Sequence, residues 1–447
     1  MKVSYLGFWK EGEEWLTHFI SNEIIKTIKV DINDSPDILI VSCFDINIEY
    51  IKNSCAKLKI FYYGENLNRF PPCNDINLLK SVFDLIIGFN STDINNKIIR
   101  FPLWLLYYDY FHYEDNNSII SHIEDLYKKN INSNLNQKTE FSSLITRQDM
   151  YGQRTKIYNE FSKYGKITCP SNYKNNCNML GPSITDKYNF LKKYTYNICP
   201  ENSAYPGYCT EKIFHSFEAG CIPVYWGITL PEVELINENK YCFLNIESQE
   251  LMNTQIKDVI ENKQKYLDGD IFTRQAKYIL DNYYSTLKWQ ISLKLNIIPK
   301  QKIYGISYAS RHFQGRYDMT ELFINSKLFD EFKMCNENDI DNINKQYIIY
   351  KKLQDINDND ILLYFDAEYS LNIIDNSTEQ FNEYIKEINE YIKEINNNWT
   401  GLLVSYKKSI YRHDYFINKS NLSLEEQPID GFYIIRKNKF IMDFFHC

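Results

Sequence analysis

The chain has 447 residues, of which 44% are hydrophobic, and it carries 50 Lys and Arg residues against 58 Asp and Glu residues. This length predicts two or three domains rather than one small module. The formal net charge of -8, with no run of basic residues, excludes a protein that binds nucleic acid or an anionic membrane.

The N-terminus and the cysteines predict where the protein works. The first apolar run gives way to charge at Lys10 and Glu11, which is too early for a signal peptide or a transmembrane segment, so we predict a cytoplasmic protein. The eleven cysteines include no CxxC pair, so we predict neither a disulfide framework nor a zinc site. The heavy use of Asn, Ile, Lys and Tyr is typical of an AT-rich bacterial or viral genome.

Short apolar runs alternate with polar segments of helical length near the start of the chain. The runs at 3–8, 38–43, 59–63 and 85–88 end at Asn, Asp, Gly or Ser residues. This alternation is typical of an α/β domain with a parallel sheet. The stretch 116–138 is rich in Asn, Ser and charge, and we predict a surface excursion at a domain boundary there.

The alternation resumes after this stretch. We predict strands at 141–146, 197–199 and 221–226, helices at 153–163 and 211–219, and further helix within 259–295. Thr210 stands where a helix N-cap is needed, and Gly220 stands where a left-handed C-cap is needed. Two tandem α/β domains, 1–138 and 139–300, would leave a cleft between them.

The segment CPENSAYPGYCTEKIFHSFEAGCIPVYWG, at 199–227, places polar residues around a predicted helix N-terminus. A helix N-terminus suits a phosphate because it presents unpaired N–H groups and a partial positive charge, to which Lys212 adds a full charge. Gly207 lets the backbone approach a ligand closely, and Glu211 can accept hydrogen bonds from two sugar hydroxyls. The other interpretation is a capped helix whose Glu and Lys are solvated.

This segment resembles the signature of the glycosyltransferase family 10 fucosyltransferases, α1,3 and α1,4 enzymes that use GDP-fucose. YYGENLNRF (62–70), FDLIIGFNSTD (83–93) and IIRFPLWLLYY (98–108) are similar to the acceptor domain of that family, and RTKIYNEFSKYGKI (154–167) is similar to the start of its donor domain. The resemblance covers about the first 300 residues. It implies a GT-B architecture, in which two Rossmann-like domains face each other across a cleft.

The resemblance also implies roles for individual residues. Glu65 matches the general base that takes the proton of the acceptor hydroxyl. The donor GDP-fucose would be held by Arg154, Asn202, Tyr208, Glu211 and Lys212. Fixed cations would stabilise the leaving GDP without a metal cofactor, and direct displacement would invert the anomeric centre.

The acceptor implied by the resemblance is a glycan, at O3 of GlcNAc or glucose. Trp9, near the end of the first predicted strand, could stack on the acceptor sugar or belong to the core. Two other functions stay open, namely a transferase that uses another nucleotide sugar and a sugar-binding protein that has lost catalysis.

Residues 301–447 lie beyond this resemblance, and we predict a further α/β domain there. DILLYFDAEYSLN (360–372) weakly resembles a GT-A-like family of capsule and glycan-biosynthesis transferases, which would make the protein bifunctional. Asp366 and Glu368 would then bind Mn²⁺ or Mg²⁺. A truncated, purely structural domain is the alternative. The repeated EYIKEIN at 383–396 predicts an amphipathic helix or a contact with another chain in an oligomer.

Overall fold

The computed structural model divides the chain into two compact units, Met1–Ile297 and Ile298–Cys447. In the first unit the structure describes residues 1–44, 46–93, 97–108, 116–134 and 138–297. In the second unit it describes residues 303–308, 330–335, 349, 352–356, 360–366, 402–406, 409–412 and 432–436. Among all of these residues, no helix combines the length and the apolar character needed to cross a bilayer.

The first unit begins with a six-stranded parallel sheet. Its strands are β1 (Lys2–Leu6), β2 (Ile28–Lys29), β3 (Ile38–Val41), β4 (Leu58–Tyr62), β5 (Leu85–Gly88) and β6 (Ile98–Arg100). Their order is β2-β1-β3-β4-β5-β6, and neighbouring strands pair in parallel. Every residue of β3 and β5 is buried, as expected for continuous apolar strands that are covered on both faces. The four strands predicted here are confirmed as β1, β3, β4 and β5.

Among the described residues, three α-helices connect these strands, and a second parallel sheet follows. The three are α1 (Lys10–Glu23), α2 (Ile48–Lys52) and α3 (Ile76–Val82). The second sheet contains β7 (Glu140–Leu144), β8 (Ile167–Thr168), β9 (Tyr194–Ile198), β10 (Ile222–Tyr225) and β11 (Cys242–Phe243), in the order β11-β10-β9-β7-β8. The remaining helices are α4 (Asn116–Asn134), α5 (Gln153–Phe161), α6 (Ile184–Leu191), α7 (Glu211–Glu218), α8 (Gln249–Glu261), α9 (Lys263–Leu267) and α10 (Ala276–Lys294).

Helix α4 corrects the prediction made for 116–138. Residues 116–134 of that stretch form a 19-residue helix and not a surface excursion. Its buried side chains Ile119, Ile123 and Tyr127 are four residues apart, so they form one apolar stripe. The Glu124 carboxylate, on the same helix, accepts the N–H groups of Ile271 and Phe272 at 2.6 and 3.0 Å. The prediction was wrong because a single stripe suffices to bury a helix whose other faces are polar.

Both caps predicted for α7 are present in the structure. Gly220 has a φ of +69°, and a Cβ there would lie 3.0 Å from the Asn130 Cβ, so the position favours glycine. Thr210 is the N-cap residue, but its side chain makes no capping hydrogen bond to the helix. Its hydroxyl bonds instead to the carboxylate of Glu201, as described below.

The second unit contains a mixed sheet. Its strands are β12 (Ile303–Tyr308), β13 (Glu331–Cys335), β14 (Ile361–Asp366), β15 (Leu402–Tyr406), β16 (Ser409–Arg412) and β17 (Phe432–Arg436), in the order β13-β12-β14-β17-β15-β16. The strands β13, β12 and β14 are parallel, whereas β17 runs antiparallel to both of its neighbours. The strands predicted at 303–309 and 361–365 are confirmed over the described residues, as β12 and β14. The repeat at 383–396 and Glu368 lie outside the described residues.

Candidate active site

The site lies at the carboxyl edge of the second sheet. From β7 the chain moves to β8 on one side, and β9 then lies on the other side of β7, so the carboxyl ends of β7 and β9 form a topological switch point. Open α/β sheets bind ligands at such points. A cavity of about 540 Å³ opens here, and its lining includes Thr146 after β7 and Asn202 after β9.

This cavity brings together six of the residues that the sequence singled out. They are Glu65, Arg154, Asn202, Tyr208, Glu211 and Lys212. Glu65 follows β4 of the first sheet, whereas the other five come from the second half of the unit. Trp9 is not among the lining residues, and its ring stacks on Phe8 with 4.6 Å between ring centroids.

Behind the cavity lies Glu201, a residue that the sequence analysis missed. Its side chain is fully buried. The carboxylate accepts hydrogen bonds from the Thr210 N–H at 2.8 Å, from the Thr210 hydroxyl at 2.9 Å and from the Tyr225 hydroxyl at 3.2 Å. It also accepts one from the Lys212 ammonium at 2.9 Å. The sequence signal that could have identified Glu201 is its position three residues after the end of the buried strand β9.

The charge of Lys212 is therefore matched inside the protein. Burial opposes this charge, but the carboxylates of Glu201 and Glu211 hold the pKa of Lys212 above its ordinary value. Glu211, in the first turn of α7, is also charged. Burial would raise its pKa, but the nearby Lys212, Lys187 and His215 lower it to about 2. Lys212 and Glu211 thus place one positive and one negative charge at the N-terminus of α7.

Arg154 lies in the first turn of α5, and its side chain points to the same cavity. One guanidinium nitrogen donates to the Asn202 side-chain oxygen at 2.9 Å, and another donates to the Gln148 carbonyl. Its Nε is buried and has no hydrogen-bond partner among the described residues. Burial lowers the pKa of Arg154. A guanidinium that is held at one edge and unsatisfied at Nε is suited to an anionic ligand.

Glu65 stands where the two halves of the unit meet. Its carboxylate accepts the Tyr208 hydroxyl at 3.2 Å and lies 3.5 Å from an Arg69 guanidinium nitrogen. The next residue, Asn66, donates to the Ser203 hydroxyl at 3.1 Å, which ties the Glu65 loop to the second half. Burial raises the pKa of Glu65, although Lys212, Arg69 and Tyr208 act in the opposite direction.

The site therefore offers a carboxylate with a raised pKa beside fixed cations. Such an arrangement can take a proton from a hydroxyl while it stabilises negative charge nearby. Among the residues whose side chains the structure describes, no three or more His, Cys, Asp or Glu side chains are grouped to hold a metal ion. Asp366 is the last residue of β14, in the second unit.

Comparison with known proteins agrees with the sequence resemblance. A model described as the alpha-(1,3)-fucosyltransferase FucT N-terminal domain matches residues 3–107, and one described as glycosyltransferase family 10 (fucosyltransferase) C-term matches residues 135–291. The alpha-(1,3)-fucosyltransferase FucT of Helicobacter pylori is 26% identical over 300 residues. That alignment covers 60% of this chain and 59% of the relative.

Solved structures of an α1,3-fucosyltransferase are also similar. One such structure has a TM-score of 0.49 and 20% identity, and the match covers 65% of this chain and 90% of that chain. A structure with GDP has a TM-score of 0.46 at 21% identity, over 65% of this chain and 90% of that one. Because the two family models together match more than half of the 447 residues, the chain belongs to glycosyltransferase family 10, the fucosyltransferases.

Proposed function

We propose that the first unit transfers fucose from GDP-fucose to a hydroxyl of a glycan, with inversion at the anomeric carbon. The observation that most supports this function is the position of Glu65, which lies in one cavity with Arg154 and Lys212 and bonds to Tyr208. A proton acceptor and fixed cations thus line the same cavity. We further propose that the two sheets of this unit are the two Rossmann-like domains of a GT-B transferase.

Glu65 is the proposed general base. Because its pKa is raised by burial, its carboxylate holds a proton more strongly than an exposed one does. It would take the proton of the acceptor hydroxyl as that oxygen attacks the β-linked fucose from the face opposite GDP, and an α-linkage results. A positioned base of this kind contributes about 10²- to 10⁴-fold in rate.

The leaving GDP would be stabilised by Arg154, Lys212 and the N-terminus of α7, with Asn202, Tyr208 and Glu211 as neighbours that hold the donor. Removing one such group costs on the order of 10²- to 10³-fold in rate. The proposed mechanism uses no metal ion, so EDTA is expected to leave fucosyl transfer unchanged. A strict requirement for Mg²⁺ or Mn²⁺ would contradict it.

The acceptor would bind at the carboxyl edge of the first sheet. The strands β1 and β3 form its topological switch point, since β2 lies on the other side of β1. Trp9 follows β1 there, and the half-exposed Phe44 follows β3. Aromatic rings suit the apolar face of a sugar. O3 of GlcNAc or glucose as the accepting hydroxyl, and a cytoplasmic location, belong to the same proposal.

The test of the proposed function is Glu65→Gln, assayed for GDP binding by calorimetry and for fucosyl transfer from GDP-fucose. We expect a loss of transfer of at least 10²-fold with a GDP Kd within about threefold of the parent value. Glu49→Gln, at a side chain that is 77% exposed, is the matched control and should change neither. Equal losses of GDP affinity and turnover would assign Glu65 to the donor site instead.

Two alternatives are separated by a donor screen that measures release of the nucleoside diphosphate. A transferase for another nucleotide sugar would release its diphosphate with that donor and not with GDP-fucose. A sugar-binding protein without catalysis would bind a donor and release nothing. The combined presence of Glu65 and the donor-side cations favours an enzyme, because binding alone does not need a base.

A second candidate function concerns the second unit, for which we propose a second nucleotide-sugar transferase. The strands β13 and β14 lie on opposite sides of β12, which makes the carboxyl ends of β12 and β14 a switch point. Tyr308 and Asp366 end these two strands in register. A carboxylate at this position could hold Mn²⁺ or Mg²⁺ against a diphosphate.

The test of the second candidate uses the full chain. Mn²⁺ binding, measured by calorimetry, should be lost in Asp366→Asn, whereas fucosyl transfer should stay within about twofold of the parent rate. Hydrolysis of a second nucleotide sugar should require Mn²⁺ and Asp366. If the parent chain binds no Mn²⁺ and hydrolyses no second donor, the second unit is not a transferase.

A further inference from the structure

Lys187 is a half-buried cation at the cavity, and none of the roles assigned above involves it. It lies in α6, and it lines both the large cavity and a small adjoining one between the ends of β7 and β9. Its ammonium lies 2.8 Å from Nδ1 of His215, in α7. It makes no ion pair of 4.0 Å or less with any carboxylate among the residues the structure describes. The imidazole of His215 therefore holds the Lys187 ammonium in position.

His215 is neutral in this arrangement. Its side chain is buried, and burial together with the adjacent Lys187 lowers the pKa of His215 to about 3. Nδ1 then accepts a hydrogen bond from the ammonium, and the proton of the imidazole is on Nε2. The imidazole therefore orients Lys187 without neutralising it. Burial lowers the pKa of Lys187, and the nearby Glu211 opposes that shift.

Lys187 adds to the positive charge of this site. The carboxylates in the cavity wall or directly behind it are Glu65, Glu201 and Glu211. The lining cations other than Lys187 are Arg69, Arg154, Lys212 and the exposed Arg147. Cations thus outnumber carboxylates among these described residues, and Lys187 raises the excess from one positive charge to two. A diphosphate has at least two negative charges near neutral pH, so a cavity without Lys187 would match them with an excess of only one positive charge.

We propose that Lys187 is a further donor-binding residue, whose ammonium contacts the diphosphate of the nucleotide sugar, and that His215 is its positioning residue. This inference rests on the proposed function. The two lysines of the site differ in their partners. Lys212 faces the cavity and is also paired with Glu201, whereas Lys187 has no carboxylate within 4.0 Å among the described residues.

The test compares GDP with guanosine, which lacks the diphosphate. In Lys187→Met the GDP Kd should rise on the order of 10- to 100-fold, the loss expected for one charge-assisted hydrogen bond, while the guanosine Kd stays within about twofold. The GDP Kd should also depend less steeply on salt. Lys193→Met, at an exposed lysine six residues further on, should change neither Kd.

Two further variants separate a direct contact from a loss of folding. Lys187→Gln keeps the length and polarity of the side chain without its charge, so it should weaken GDP binding to nearly the same extent as Lys187→Met. His215→Leu removes the acceptor and should weaken GDP binding, whereas His215→Gln supplies an oxygen acceptor and should restore part of it. All variants should keep the urea midpoint of the parent within about 0.5 M.

The outcomes distinguish this inference from the function it rests on. If the parent chain binds GDP and both Lys187 variants bind it within twofold of the parent Kd, the inference fails and the proposed function stands. It also fails if guanosine affinity falls as much as GDP affinity. If the parent chain binds neither GDP nor GDP-fucose, the proposed function fails, and the inference fails with it.

Discussion

Replacing Glu201 by Gln should destabilise the first unit through the charge of Lys212. The Glu201 oxygen that accepts the Thr210 N–H at 2.8 Å and the Tyr225 hydroxyl at 3.2 Å can be kept as the amide oxygen. The amide NH₂ then occupies the position 2.9 Å from the Lys212 ammonium, so that two donors face each other. Removing one partner of a buried ion pair costs about 3–5 kcal/mol. Because the Lys212 side chain is 20% exposed, we expect about 3 kcal/mol, the low end.

A double-mutant cycle isolates this pair. Lys212→Met should also cost about 3 kcal/mol, because it leaves the carboxylate of Glu201 buried without a cation. In the double variant neither charge remains, and the amide NH₂ can donate to the Thr210 hydroxyl. The double variant should therefore be about 2–3 kcal/mol more stable than the sum of the single losses predicts.

The assay is urea unfolding at 25 °C, followed by tryptophan fluorescence. Five of the six tryptophans, among them the buried Trp15 and Trp104, lie in the first unit, so the signal reports chiefly on that unit. Glu49→Gln is the surface control. A Glu201→Gln variant within 1 kcal/mol of the parent, or losses that simply add in the double variant, would refute the view that Lys212 is matched by Glu201.

Two other predictions concern neighbouring groups. Arg69 lowers the pKa of Glu65, so Arg69→Gln should raise that pKa. Because the base must be ionised, the acid limb of the kcat/KM profile should then move to higher pH. If the acid limb does not move, Arg69 has no electrostatic effect on Glu65. Glu232, whose side chain is 2% exposed, accepts hydrogen bonds from Arg100 at 2.7 Å and from Trp104 at 3.1 Å. Glu232→Gln should therefore lower the free energy of unfolding, measured with urea, by about 3 kcal/mol. No change would mean that the Arg100 guanidinium finds another partner.

Local chemistry explains why much of the second sheet and its helix α7 could be predicted. Thr210 at the start of α7 and the left-handed position at Gly220 follow from the residue preferences of helix ends and from steric limits on φ, which act within a few residues. The apolar runs predicted most of the strands for the same reason. Helix α4 was missed because composition averages over its faces, whereas burial depends on the one stripe that contains Ile119 and Ile123.

The roles of charged residues were harder to predict, because they depend on partners that are distant along the chain. In the sequence Glu201 cannot be distinguished from other loop carboxylates. In the fold it accepts hydrogen bonds from Lys212 and from Tyr225, which is 24 residues away. Lys187 lies 28 residues before the imidazole that orients it. Sequence motifs show which residue types are present, but the fold decides which charges pair with each other and which remain available to a ligand.

The contact between Glu65 and Tyr208 extends this argument to the coupling of the two halves of the unit. Their bond joins residues 143 positions apart, and Asn66 makes a second connection to Ser203. Because the Tyr208 hydroxyl lowers the pKa of Glu65, the basicity of the carboxylate depends on the position of a residue in the half that we propose binds the donor. A donor that displaced the Tyr208 hydroxyl from Glu65 would make that carboxylate a stronger base, so donor binding and proton acceptance would be linked through a single hydrogen bond.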